Sequence, residues 1–260
     1  MDHLYQHFRV EEQSFVDRVS DWVHQVDYQY VPYLTSFLNP REQFIVESIV
    51  GQSDAISVVF FGGTAGTERQ RALIKPAYID ETEAHYDISL CELSYPEKFS
   101  QLSHRDILGA ILGTGIDRKK LGDIIHENGC WQLFVDASLV SFLTLQVTSV
   151  GRTPVTLTER PLREAVPITK QWQKKNIVIS SRRLDVFIAG GLRISRDQAK
   201  QLIVSGKVQL NWTPTEHISE HVNEKDIISV RGFGRLTLLH IEHRTRKDKL
   251  AVEIGTLLQK

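Results

Sequence analysis

Arginines stand at the starts of two short helices within one stretch of this chain. Residues 181–212 read SRRLDVFIAGGLRISRDQAKQLIVSGKVQLNW. Leu184, Phe187 and Ile188 form one apolar stripe, and Ala199, Leu202 and Ile203 form another, so two amphipathic helices can bury against each other and a sheet. Gly190-Gly191 predicts the end of the first helix. Ser195 followed by Gln198 is a capping box that starts the second. Arg182 and Arg183 then fall at one helix start and Arg196 at the other, where the helix dipole disfavours a cation by a few tenths of a kcal/mol. A bound phosphate reverses that sign, because free amides at a helix start accept an anion and arginines clamp it. Lys200 shares a face with Arg196. Lys207 opens a strand in which Val208, Leu210 and Trp212 alternate with polar neighbours. The competing reading pairs Arg182 with Asp185 on its own helix and Arg196 with a neighbour, although exposed pairs contribute little.

Two further basic segments follow. Arg231-Gly232-Phe233-Gly234-Arg235 combines glycines, flanking arginines and one aromatic, which suits a nucleic-acid backbone and a stacked base; a plain hairpin turn is the alternative. Arg244-Thr245-Arg246-Lys247-Asp248-Lys249 reads as a basic turn; beside an RNA module it can track phosphates, and a solvated run is the alternative. Earlier in the chain, Arg118-Lys119-Lys120 is a candidate secondary contact. No catalytic constellation emerges. His104-Arg105-Asp106 mimics the start of a kinase loop, but Ile111 stands where Asn is required. The run Gly62–Thr67 lacks the lysine of a phosphate loop. Gly113-Thr114-Gly115 has Arg118 in place of the third glycine of a dinucleotide site. His3/His7 and His217/His221 have metal-like spacing but no third ligand. We expect no catalytic residue, metal, cofactor or small-molecule substrate.

The elements that must position the basic stretch belong to an α+β chain. Residues 1–180 carry 17 Lys+Arg against 23 Asp+Glu, whereas residues 181–260 carry 14 against 9, so a basic tail follows an acidic body. That asymmetry points to a polyanion-binding surface. No signal peptide or membrane span is legible, and Cys91 and Cys130 set no disulfide framework, which predicts a cytoplasmic, reduced protein. Phe15, Val19, Trp22, Val23 and Val26 mark a first helix, ended by Pro32. A second follows Asn39-Pro40, with Phe44, Ile45, Ser48 and Ile49 on its buried face. Strands are predicted at Ile56–Phe61 and Leu73–Ile79. Between residues 86 and 158 the order is strand, helix (His104–Leu112), strand, Asn128-Gly129 turn, strand, helix (Ser138–Val150), strand. This βαββαβ order predicts a ferredoxin-like domain, in which the neighbouring first and third strands would bring Cys91 near Cys130. Trp131 and Phe134 fall on opposite faces, so at most one could stack a base. The predicted organisation is an N-terminal α/β segment (1–80), the ferredoxin-like domain (81–160), a linker (161–176) and a basic module (177–260).

The basic module resembles the S-four domain, or alpha-L motif, of RNA-binding proteins. The resemblance rests on RLD, SR with Ala beyond it, Gly before Lys-Val, Asn, and Asp-x-Ile-x-Val, over about residues 181–230. It implies binding of structured RNA through Arg182, Arg183, Ser195, Arg196, Lys200, Lys207 and Asn211. The family has Gly after the Asn, whereas here Trp212 follows, which argues against a tight turn. Pseudouridine synthases also carry an RLD motif, but in their catalytic domain, whereas here the RLD is expected to belong to the S-four helix itself. The whole chain is similar to the bacterial YlmH proteins through FLNPREQ (37–43), GGTAGTERQRA (62–72) and HRDILGAILGTGIDRKKLGDI (104–124). That resemblance implies a ribosome-associated RNA-binding protein, some relatives being linked to rescue of stalled large subunits and the genes lying near cell-division loci; we expect a non-enzymatic monomer that binds rRNA or tRNA. The alternatives are an RNA-modifying enzyme and an interaction protein of ribosome assembly or division.

Overall fold

The computed structural model describes residues 8, 12–51, 54–97, 100–168, 172–224, 226–245 and 247–258. It divides into two compact units, 1–168 and 169–260, of mixed α and β structure with antiparallel sheets. In the first unit α1 (Gln13–Gln29) and α2 (Pro40–Val50) pack on a sheet of β1 (Tyr33–Leu38), β3 (Gln70–Pro76) and β2 (Ile56–Phe61), in that order. Asn39 caps α2 as predicted, with Glu42 completing a capping box. The buried side of α2 is Ile45, Val46 and Val50, while Phe44 is 52% exposed, so the predicted face is rotated. Strand β1 is not predicted from the sequence. Its Phe37 and Leu38 enter different cores, so both faces are apolar and no alternation marks it. The predicted strand Leu73–Ile79 is displaced to Gln70–Pro76.

The same unit continues with β4 (Ile88–Ser94), α3 (His104–Leu112), β5 (Leu121–Glu127), β6 (Cys130–Asp136) and α4 (Val140–Gln146). A small hairpin, β7 (Ser149–Val150) with β8 (Thr153–Pro154), then leads into β9 (Thr156–Arg160). The four long strands lie in the order β5-β6-β4-β9, all antiparallel. Asn128-Gly129 turns as predicted, both at positive φ. The second helix is shorter than expected. Asp136 Oδ1 accepts the Ser138 amide at 3.1 Å, a 3-10 turn follows, and the last residues of the expected helix form β7. Cys91 pairs with Leu133, not Cys130, which places the thiols three residues out of register, roughly 10 Å apart. Burial pushes the Cys91 thiol up to about 12.

Both faces of this sheet are buried. Leu93, Trp131 and Leu133 face α3 and α4. Leu90, Ile125 and Phe134 face Phe37, Leu73 and the 162–168 segment. The 62–72 motif fastens this second contact: Asp123 accepts the Glu68 and Arg69 amides at 2.6 and 3.1 Å, and Arg69 donates to the carbonyls of Leu121 and Phe37. Residues 162–168 therefore pack on the first unit, and β10 (Gln173–Ile179) belongs to the second, which leaves little of 161–176 as linker.

The second unit is a six-stranded sheet in the order β10-β15-β14-β13-β11-β12, built from β10, β11 (Val208–Leu210), β12 (Thr213–Pro214), β13 (Ile227–Val230), β14 (Gly234–Arg244) and β15 (Leu250–Leu258). Helices α5 (Leu184–Leu192) and α6 (Arg196–Val204) cover one face through Leu184, Phe187, Ile188, Ala199 and Ile203. Helix α5 does not stop at Gly190-Gly191. A Cβ on Gly191 would sit 2.8 Å from Leu236 Cδ1, so the glycines let the helix approach the sheet, and Arg193, at φ +57, ends it instead.

Candidate nucleic-acid interface

Asp185 organises the basic surface. Its carboxylate is fully buried and accepts Arg183 Nε at 3.1 Å and Arg196 Nε at 2.7 Å, tying the two helix starts together. The partner of Arg182 is Asn223, at 2.9 Å, so the Arg182–Asp185 pair of the competing reading does not form, whereas its pairing of Arg196 with a neighbour does. One carboxylate cannot neutralise two guanidinium groups, and the Arg183 and Arg196 side chains remain 36% and 51% exposed. Burial alone would raise the Asp185 pKa, but hydrogen bonds and charge from Arg183 and Arg196 outweigh it and hold the carboxyl below its ordinary value.

The helix ends differ from the expected pair of open anion cradles. At α5 the Leu184 and Asp185 amides donate to the carbonyls of Glu220 and Ile218, which closes that end. At α6 the capping box forms as predicted: Ser195 Oγ accepts the Gln198 amide and Gln198 Oε1 accepts the Ser195 amide. Ser195 is therefore spent on the cap. The Arg196 and Asp197 amides have no acceptor among the described residues. What the module offers a polyanion is mainly side-chain charge.

Other predicted residues divide. Lys200 reaches Asp197 at 3.1 Å across an exposed i,i+3 pair that holds it weakly. Lys207 is exposed, and its carbonyl accepts the Arg231 amide, which sets these two cations side by side. Arg235 departs from the expected surface. It alternates with Leu236, which faces the helices, so Arg235 lies on the opposite sheet face, where Thr237 and Trp172 crowd Gly255. The 231–235 segment is a hairpin turn with Phe233 N donating to Val230 O. Asn211 and Trp212, at φ +47 and +63, form a tight two-residue turn despite the missing glycine. The Asn211 side chain donates to Asp226 at 2.7 Å and accepts the Ile227 amide at 2.9 Å, so it braces the module. Arg244 pairs with Asp248 in an exposed turn beside Lys247; Arg246, like His3 and His7, lies outside the described residues.

Of the expected secondary contact at 118–120, Arg118 is turned inward. Arg118 donates to the Leu121 and Gly122 carbonyls, and burial, with Arg69 nearby, lowers its pKa to about 10. Lys120 binds Asp136 at 2.7 Å but its side chain remains partly exposed, and Lys119 is exposed. Trp131 and Phe134 are both buried, and neither offers a stacking face. His104-Arg105-Asp106 is the first turn of α3, capped by Ser103. Sequence reasoning missed Asp185 as the organiser, because Arg196 comes to it from the next helix, eleven residues on, although Arg183 is a local partner two residues away. It also missed Arg193, exposed between the two helices; its basic character inside a helix–helix turn was the available signal.

Three family models match the chain: "YlmH, N-terminal" over residues 11–79, "Putative RNA-binding domain in YlmH" over 81–164, and "S4 domain" over 182–228. The chain is 38% identical over 252 residues to the ribosome-associated protein quality control protein P2 of Bacillus subtilis (strain 168), covering 97% of this chain and 98% of that one. Among solved structures it is similar to the cell division protein ylmH from Streptococcus pneumoniae, at 29% identity and a TM-score of 0.56, over 63% of this chain and 99% of the other.

Proposed function

This chain belongs to the YlmH family, and from that premise we propose that it is a non-enzymatic RNA-binding protein acting on the ribosome in quality control of stalled large subunits. The relative from Bacillus subtilis carries ribosome-associated quality control in its name. Structured RNA, rRNA or tRNA, is gripped by the S4 domain through Arg182, Arg183, Arg196, Lys200, Lys207 and Arg231, with Arg193 added. The observation that carries this reading is the buried Asp185 carboxylate holding two partly exposed arginines at the helix pair. Phosphate contact of this kind is electrostatic and shape-reading rather than base-specific. Work on the ribosome implies a cytoplasmic protein.

We read the chain as three domains, close to 1–80, 81–160 and 177–260. The central one fits a ferredoxin-like sandwich: in chain order its strands lie second, third, first, fourth across an antiparallel sheet. Its sheet cannot bind RNA by an open face, since both faces are covered. It serves as scaffold or as a contact with a second ribosomal component.

The test is Arg196→Glu with Lys200→Glu. Binding to ribosomal subunits and to structured RNA should fall by about two orders of magnitude or more at moderate salt. The slope of log K against log[salt] should flatten by about 0.9 for each phosphate that is no longer neutralised. Unchanged affinity would mean that another surface binds. The structural relative's name favours a second reading, a division-linked interaction protein. Partners that survive ribonuclease treatment in a pulldown would support it.

A further inference from the structure

A concavity of about 340 Å³ opens beside the basic surface of the second unit, lined by Ile194, Gln198, Gln201, Leu202, Lys207 and Phe233, with Ser205 at its edge. We infer that it is a pocket for one unpaired RNA base, extruded from its helix while the neighbouring cations hold the backbone. The inference rests on the RNA-binding reading and adds what that RNA must contain.

Three features favour a base over another ligand. The floor is apolar and includes one aromatic ring: Ile194, Leu202 and Phe233 all pack against the module's core, so their exposed sides form a firm platform. Every base has a π-face that stacks on such a ring. Next, the rim carries carboxamides. Gln201 makes no side-chain hydrogen bond among the described residues, and Gln198 uses only its oxygen, in the α6 capping box. A carboxamide pairs donor and acceptor against a base edge. Finally, the pocket's charge is one-sided. Lys207 lines it and Arg231 is hydrogen-bonded to Lys207, which suits the phosphates that flank an extruded base. At this volume the site lies at the small end of ligand pockets, enough for one base and part of its ribose.

The experiment compares the full chain's affinity for two RNA hairpins of equal length and charge, one fully paired and one with a single-base bulge. Wild type should prefer the bulged hairpin by roughly fivefold or more, the low end of what one base–aromatic stack contributes. Phe233→Leu keeps an apolar floor without a π-face and should erase the preference while leaving affinity for the paired hairpin in place. Gln201→Ala, an exposed helical position whose side chain is not spent on the fold, should reduce it. A 4-thiouridine at the bulge should crosslink to the peptide that contains Phe233.

Equal wild-type affinity for the two hairpins overturns the pocket and leaves RNA binding intact. So does a preference that survives in both variants. Binding to neither hairpin at low salt overturns the RNA-binding reading and the pocket with it. Adenosine monophosphate bound alone at micromolar concentration, in a Phe233-dependent way, overturns the RNA base in favour of a free nucleotide.

Discussion

At the scale of single residues, a carboxylate and an amide decide the basic surface, and neither contacts RNA in this reading. Asp185 holds Arg183 and Arg196 from beneath. Replacing it by Asn should cost about 2 kcal/mol, less than a fully buried pair because both guanidinium groups reach water. RNA affinity should fall several-fold as the arginines lose their common anchor. Denaturant titration and filter binding measure the two effects. The sign with pH follows from the lowered carboxyl. Its contribution is complete above the unfolded-state value of about 3.9 and is lost as pH falls through the lower folded-state value. Wild type should therefore lose stability below about pH 4 more steeply than Asp185→Asn. Asn211 offers the opposite contrast. Asn211→Ala removes two hydrogen bonds and places Ala at φ +47, costing about 2 kcal/mol. Affinity of the folded fraction for RNA should stay unchanged, because the side chain is directed into the module. A drop in that affinity would restore Asn211 to the binding surface.

Elements add a constraint that residue types conceal. Glycines 190 and 191 look like a helix terminator, yet both lie within α5. Their function is distance: they bring the helix onto Leu236, Ile177 and Ile179. Gly191→Ala forces its Cβ to 2.8 Å from a fully buried leucine and should cost about 1–3 kcal/mol in thermal or chemical unfolding. At Gly190 the nearest atoms are methyls at 3.2 Å, and the gain in helix propensity offsets the crowding, so Gly190→Ala should be close to neutral. Equal effects at the two positions would show that the close approach is not what these glycines provide.

For the whole molecule, the arrangement of the first unit removes one mode of RNA binding. An isolated four-stranded antiparallel sheet with two helices on one side leaves the other side open to bases. Here Phe37, Leu73, Tyr86 and the 162–168 segment cover that side, and the glycine-rich 62–72 loop clamps it through Asp123. Residues 81–160 expressed alone should expose Leu90, Ile125 and Phe134 and aggregate, or bind a hydrophobic dye, whereas residues 1–168 should remain dispersed. Light scattering separates the two outcomes. The excess of Lys and Arg over Asp and Glu lies in the second unit.

Local chemistry was enough to read α3, β2, the Asn39 and Ser195 caps and the Asn128-Gly129 turn, since each depends on spacing within a few residues, and a motif resemblance over residues 181–230 marked the basic module. Contacts between distant segments decided the rest. Strand β1 is apolar on both sides because two cores meet across it. Arg118 looks like a surface cation until the Leu121 and Gly122 carbonyls take it up. The amides at the start of α5 look bare until residues 218 and 220 arrive. A charged or polar group's partner is fixed by distance in space, and sequence spacing encodes that distance only within a turn or two.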